Sequence, residues 1–234
     1  MQFKPALLLA AAALIASSAQ ATPVAIAQWN YNTSSTKQTF SMNGASFSTL
    51  GGVTTAFVSG SGSTDSGSPN NALNTTGYGT ISTGNMTRGV QFMIDTSGYQ
   101  DVSFTFDQRN SGTGSAWTAL LYTLDDGDSW TKASQFQISS TSFLNNRSFS
   151  FADIEGADNN PLFGVQLVAM FAPGTSGYVG ATSGYGSSGT IRYDMVTLSG
   201  TEIPEAVIPE PGSLGLLMAG LGGIGFVARR RRAS

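Results

Sequence analysis

The sequence predicts an all-β protein whose body is a jelly-roll-like β-sandwich, and three observations predict it. Short runs rich in β-branched and aromatic residues recur along the body, with Gly, Ser and Asn between them. Several alternate apolar and polar residues, the period of a strand with one buried face. No stretch between the two ends of the chain keeps a helical period. Many short strands with Gly-Ser connections pack most simply as two stacked sheets.

Taken in order, residues 1–21 read as a signal peptide. Lys4 precedes the apolar run ALLLAAAALIASS, and Ala19-Gln20-Ala21 supplies the small residues that signal peptidase requires. The mature chain is expected to begin at Thr22.

The sandwich is expected over 22–200, with strands in VAIAQWNY, GGVTTAFVSG, RGVQFMI, DVSFTFDQR, WTALLYTL, SQFQIS, RSFSFADI, FGVQLVAMF and TIRYDMVTLSG. In DVSFTFD, Val102, Phe104 and Phe106 share one face while Ser103 and Thr105 share the other. After Leu124, the run Asp125-Asp126-Gly127-Asp128 is a tight-turn signature, because Gly accepts positive φ without steric cost. The alternative for this turn is calcium held by Asp125, Asp126 and Asp128, although the order of residues departs from the D-x-[DN]-x-[DN]-G loop. No other cofactor is expected.

Residues 59–89 hold few large apolar side chains and read as a long surface loop, with 172–186 as a second one. Their amides, hydroxyls and rings suit sugar: Tyr78, Tyr178 and Tyr185 are candidates for stacking, and Asn70, Asn71 and Asn74 for hydrogen bonding. The same residues would equally populate inert loops.

Residues 201–208 form a short linker. Residues 209–232 then run Pro209-Glu210-Pro211, an uncharged segment 212–228, and Arg229, Arg230, Arg231 and Arg232. As a helix that segment is roughly 25 Å long, barely enough to span a bilayer, and four arginines would hold its end on the cytoplasmic side.

Composition excludes several function classes. With no Cys, the exported body gains nothing from disulfides, and with no His it lacks Ser-His-Asp catalysis and the usual zinc ligands. From Thr22 to Glu210 six basic residues face all 14 acidic ones, a balance of −8, which repels nucleic acid. Catalysis would have to use carboxylates. Asp107, Asp153, Glu155 and Asp194 are the candidates for a secreted carboxylate-dependent glycosidase, which needs two carboxyls about 5 to 10 Å apart across a cleft.

The order Pro-Glu-Pro, apolar segment and terminal arginines resembles the PEP-CTERM sorting signal of Gram-negative bacteria. That resemblance implies an exosortase-type membrane protease as partner, transient anchoring in the inner membrane, and release or transfer to the cell surface after a cut near Pro209-Glu210-Pro211. The stretches around Ser68-Pro69-Asn70-Asn71, Gly89-Val90-Gln91-Phe92, 102–109 and 158–165 are also similar to an extracellular β-sandwich module of such proteins, over roughly Ile26 to Gly200. This second resemblance implies an accessory or adhesive role. The expected function is therefore a non-catalytic cell-surface or biofilm-matrix protein that binds polysaccharide or serves structurally.

Overall fold

The computed structural model describes residues 22–204; the signal-cleavage residues Ala19 and Ala21, the Pro209-Glu210-Pro211 motif, segment 212–228 and Arg229 to Arg232 lie outside the described residues. The described part is all-β, with two antiparallel sheets and no helix among the described residues.

The first sheet runs β10 (Leu144–Ser150), β7 (Tyr99–Asn110), β12 (Ile191–Glu202), β1 (Val24–Trp29) and β2 (Phe40–Ser41). The opening residues of β12 pair instead with β5 (Asn71–Thr76), which in turn pairs with β4 (Thr54–Ser59). The second sheet runs β3 (Ala45–Leu50), β6 (Gly89–Ile94), β11 (Gly164–Ala169), β8 (Trp117–Thr123) and β9 (Thr131–Gln137).

The alternation read in β7 holds: Val102, Phe104 and Phe106 are buried between the sheets. Aromatic rings interlock across that space. Trp29 of the first sheet meets Phe92 of the second at 4.8 Å, Phe92 meets Phe104 at 5.7 Å, and Phe104 meets Phe106 at 5.7 Å. Each ring so buried stabilises the fold by about 1.5–3 kcal/mol, so packing replaces the disulfides the chain lacks.

Two expectations need correction. The stretch 59–89 is not one loop, since β5 lies inside it; Ala72, Leu73 and Thr75 are buried while Asn71 and Asn74 are half-buried. Its Asn and Thr content concealed a strand whose inward positions are small or apolar. The strand β12 also continues past Gly200 to Glu202, with Thr201 buried, so the sheet takes the first residues assigned to the linker.

The turn after β8 forms as the sequence predicts. Asp126 and Gly127 have φ of 59° and 92°. Asp125 accepts from Thr123 Oγ1 at 2.5 Å, from the Ser129 amide at 3.0 Å and from Ser129 Oγ at 2.5 Å. The Ser129 and Thr123 hydroxyls, with the Ser129 amide, hold its carboxyl down to about 2. Both Asp125 oxygens are thus spent on the turn itself.

Candidate functional site

The proposed sugar-stacking tyrosines are core residues. Tyr78 is 1% exposed and its hydroxyl shares a 2.5 Å hydrogen bond with Thr75. Burial pushes the Tyr78 phenol well above its ordinary range. Tyr178 is 2% exposed, donates to the Gly84 carbonyl, and stacks on Tyr185 at 4.9 Å. Tyr185 is half-buried and donates to the Gly79 carbonyl at 2.9 Å. In segments built of Gly, Ser and Thr these rings are the apolar mass available to seal one end of the sandwich, so they turn inward.

The asparagines are similarly engaged. Asn71 donates to the Asn32 carbonyl at 3.2 Å, and Asn74 Oδ1 accepts from Arg192 Nε at 3.1 Å. Asn70 donates to the Asp65 carbonyl at 2.8 Å. The six residues therefore do not assemble into one exposed site.

Two of the four candidate carboxylates do come together. Asp107 on β7 stands directly across the ladder from Asp194 on β12, on the face of the first sheet turned away from the core. Bulges frame the pair: β12 shifts register after Asp194 and β10 shifts before Arg147, with positive φ at Met195 and Asn146. Each bulge aims an amide at a carboxylate, Met195 at Asp194 Oδ1 and Asn146 at Asp107 Oδ1, at 2.8 and 2.7 Å. Thr64 adds its amide and hydroxyl to Asp107 Oδ2.

Burial pushes the Asp194 carboxyl up to about 7; the Ser63 hydroxyl and the Met195 amide oppose that rise, and Asp65 and Asp107 add to it. A carboxyl raised by burial beside a second carboxyl resembles an acid and base pair. Yet Asp107 is 1% exposed and Asp194 fully buried beneath the 60–70 loop, so no glycosidic bond can reach either. Asp153 and Glu155 lie exposed in the connection between β10 and β11, away from both ladders.

A different surface has the chemistry of a binding platform. In the second sheet, Leu120 and Tyr122 of β8 pack into the core, while Ala119 and Leu121 face outward into a separate apolar cluster. In β11, Val165, Leu167 and Ala169 point inward, whereas Val168, and Met170 just beyond the strand, join the outer cluster. Leu50, Met86, Trp117 and Trp130 pack over it, both indoles half-buried.

Register arranges this face in rows. Gln91 lies opposite Gln166, Gln166 opposite Leu121, and Leu121 opposite Lys132. In the next row Val168 faces Ala119, which faces Gln135. Gln166 Nε2 donates to Gln91 Oε1 at 2.9 Å, fixing one amide pair across the sheet. Trp117 opens β8, and Trp130 stands just before β9 beside the tight turn, about 3.6 Å from where a Gly127 Cβ would lie. The strand between them places their Cα atoms roughly 20 Å apart. Sequence reasoning passed over both tryptophans. The available signal was that WTALLYT and GVQLVA are apolar on both faces, which a strand covered on one side does not need.

No curated protein matches the chain. Among solved structures, it is similar to the N-terminal modules of endo-1,4-beta-D-xylanase 10B from Clostridium thermocellum at 9% identity and a TM-score of 0.44, covering 69% of this chain and 27% of that one. A family 29 carbohydrate-binding module aligns at 14% identity and a TM-score of 0.42, covering 77% and 87%. A tandem CBM22 domain from Paenibacillus barcinonensis Xyn10C aligns at 12% and 0.41, covering 84% and 50%. Likenesses this distant place no ligand.

The tail is another matter. The PEP-CTERM protein-sorting motif matches residues 207–232, which hold Pro209-Glu210-Pro211, the apolar segment and the four arginines in that order. The chain is thus an exported protein in which residues 207–232 are a PEP-CTERM protein-sorting motif.

Proposed function

We propose that the β-sandwich is a non-catalytic polysaccharide-binding module delivered to the cell surface or extracellular matrix, and that it binds through the outer face of its second sheet. The observation that supports this reading is the second apolar cluster, outside the core, overlaid by Trp117 and Trp130 and flanked by Gln91, Gln166 and Gln135. Indole faces pack against the C–H faces of sugar rings, and amide groups pair with their hydroxyls. An extended glycan chain fits the distance between the two indoles better than a single sugar does.

The competing reading, a carboxylate glycosidase, draws on Asp107 and Asp194, and the closure of both beneath the 60–70 loop speaks against it. Affinity electrophoresis against the producing organism's own exopolysaccharide tests the proposal. Trp117→Ala and Trp130→Ala are each expected to weaken retention at least about ten-fold, or about 1.4 kcal/mol. Retention unchanged in the double variant, or no retention in the parent protein, would refute it.

For delivery, signal peptidase would cut after Ala21, and an exosortase-type protease near Pro209-Glu210-Pro211 after transient anchoring by segment 212–228. Mass spectrometry of secreted material reads both ends. Extracellular protein that still ends in Ser234 would rule out the second cut.

A further inference from the structure

We propose an anion site on the outer face of the first sheet, in which Arg109 of β7 and Arg192 of β12 hold the carboxylate of a uronic acid sugar. The two arginines stand directly opposite each other in the antiparallel ladder, on the same face as Asp107 and Asp194 one row along. Side chains so opposed start about 4.5–5.5 Å apart, and two like charges there destabilise a sheet. From Thr22 to Glu210 the chain holds only six basic residues, yet two of them form this one cross-strand pair. An anion between them relieves the repulsion.

Each guanidinium is fixed at its inner end and open at its outer one. Arg109 Nε donates to the Thr141 carbonyl at 2.5 Å, and Arg192 Nε to Asn74 Oδ1 at 3.1 Å. Of their terminal nitrogens, only Arg192 Nη1 meets a protein acceptor among the described residues, the Ser59 carbonyl at a long 3.4 Å. Both side chains are half-buried; burial, and then the like charge of Arg109, weaken the hold of Arg192 on its proton. The acidic row does not pair with them. Asp107 accepts from Thr64 and the Asn146 amide, and Asp194 Oδ1 from the Met195 amide, so these carboxyls are engaged by the 60–70 loop and the bulges.

A pocket of about 240 Å³ opens beside the pair, lined by Arg109, Ser61, Gly62, Thr141, Ser142 and Phe143. Arg192 borders it through Ser59, two residues before Ser61. The walls are set in advance: Asn145 donates to the Gly62 carbonyl at 3.0 Å, and the Phe143 ring lies 3.8 Å from where a Gly62 Cβ would be. Hydroxyls, an aromatic ring and a guanidinium are the groups that take a sugar's hydroxyls, its C–H surface and its carboxylate. The volume is below the about 300–1,000 Å³ of sites for larger ligands and admits one ring of a chain. Arginine suits the task better than lysine, because its planar fork can meet both oxygens of a carboxylate. The tryptophan face lies on the other sheet and is flanked by amides, so this site goes beyond that reading and either can fail while the other stands.

The test uses the full chain in mild detergent, titrated by calorimetry with a galacturonate trimer, with its methyl ester and with sodium phosphate. The expected results are one trimer per chain, at least ten-fold weaker binding of the ester, and phosphate bound at least ten-fold more weakly than the trimer. Arg109→Gln and Arg192→Gln should each lose at least ten-fold in trimer affinity, whereas Arg147→Gln and the double variant Trp117→Ala with Trp130→Ala should bind as the parent does. Phe143→Ala leaves both guanidiniums in place and should also weaken the trimer; it decides the matter if an arginine variant does not fold, and unchanged binding there would then overturn the site. Trimer binding that survives Arg109→Gln combined with Arg192→Gln would assign it to the four terminal arginines and overturn the proposal. Equal binding of trimer and ester, or of trimer and phosphate, would overturn it as well.

Discussion

The sandwich should lose stability as pH rises from about 4 to about 7. The group responsible is Asp194, whose carboxyl rises from 3.8 to about 7 in the folded chain, chiefly through burial. Between those values the folded chain holds a proton that the unfolded chain has released. Its relative stabilisation is therefore complete below the unfolded value and lost as pH rises through the folded one. A rise of about 3 units corresponds to about 4 kcal/mol at 1.36 kcal/mol per unit. The polar 60–70 loop screens the site, which lowers the expected effect to about 2 kcal/mol. For a domain of about 180 residues that is a fall in Tm of about 4–8 °C. Scanning calorimetry from pH 4.5 to pH 8 measures it, with Asp194→Asn as the control in which the slope flattens. Asp125 acts in a different window: its carboxyl is held down to about 2, so its contribution is present above 3.8 and fades as pH falls toward 2. A Tm that stays level or rises from pH 5 to pH 8, or a parent and Asp194→Asn pair with the same slope, would refute the reasoning.

Two further outcomes follow from packing. Phe104→Ala removes a fully buried ring that touches both Phe92 and Phe106, and should cost about 3–5 kcal/mol in urea unfolding; a loss under about 1 kcal/mol would mean the two sheets do not interlock there. Gly51→Ala places a Cβ 2.4 Å from the Thr87 carbonyl at a φ of +63°, in the turn between β3 and β4, and should cost about 1–3 kcal/mol by the same assay while leaving polysaccharide retention intact.

The sequence reveals the parts of this fold whose cause is local. In β7, the alternation of Val102, Phe104 and Phe106 with Ser103 and Thr105 is enough to place a strand and its buried face. The turn at Asp126-Gly127 needs only the backbone freedom of its own residues. What stayed hidden depends on partners distant in the chain. Asn71 to Thr76 carries little strand propensity and becomes β5 because β4 and β12 supply its hydrogen bonds. Tyr178 looks like a loop aromatic until the Gly84 carbonyl, 94 residues away, is seen to accept its hydroxyl.

The same distinction explains why the candidate sites moved. Polar loops with aromatic residues suggest a binding surface from composition, but in this chain the glycines bring backbone close enough for the rings to pack inward, and the loops lose their exposed aromatic faces. The half-buried indoles sit instead on the outer face of the second sheet, Trp117 on β8 and Trp130 just before β9. There the residue spacing fixes which side a ring takes, and the sheet holds Trp117, Gln91 and Gln166 at set intervals without a cost in loop ordering. A rigid, flat, amphipathic face can engage a long polymer at many registers with modest affinity at each, which suits retention in a matrix better than capture of one small ligand. The acidic pair on the opposite side follows the same logic in reverse. Its register brings Asp107 and Asp194 together, and closure by the 60–70 loop seals both carboxyls from any substrate.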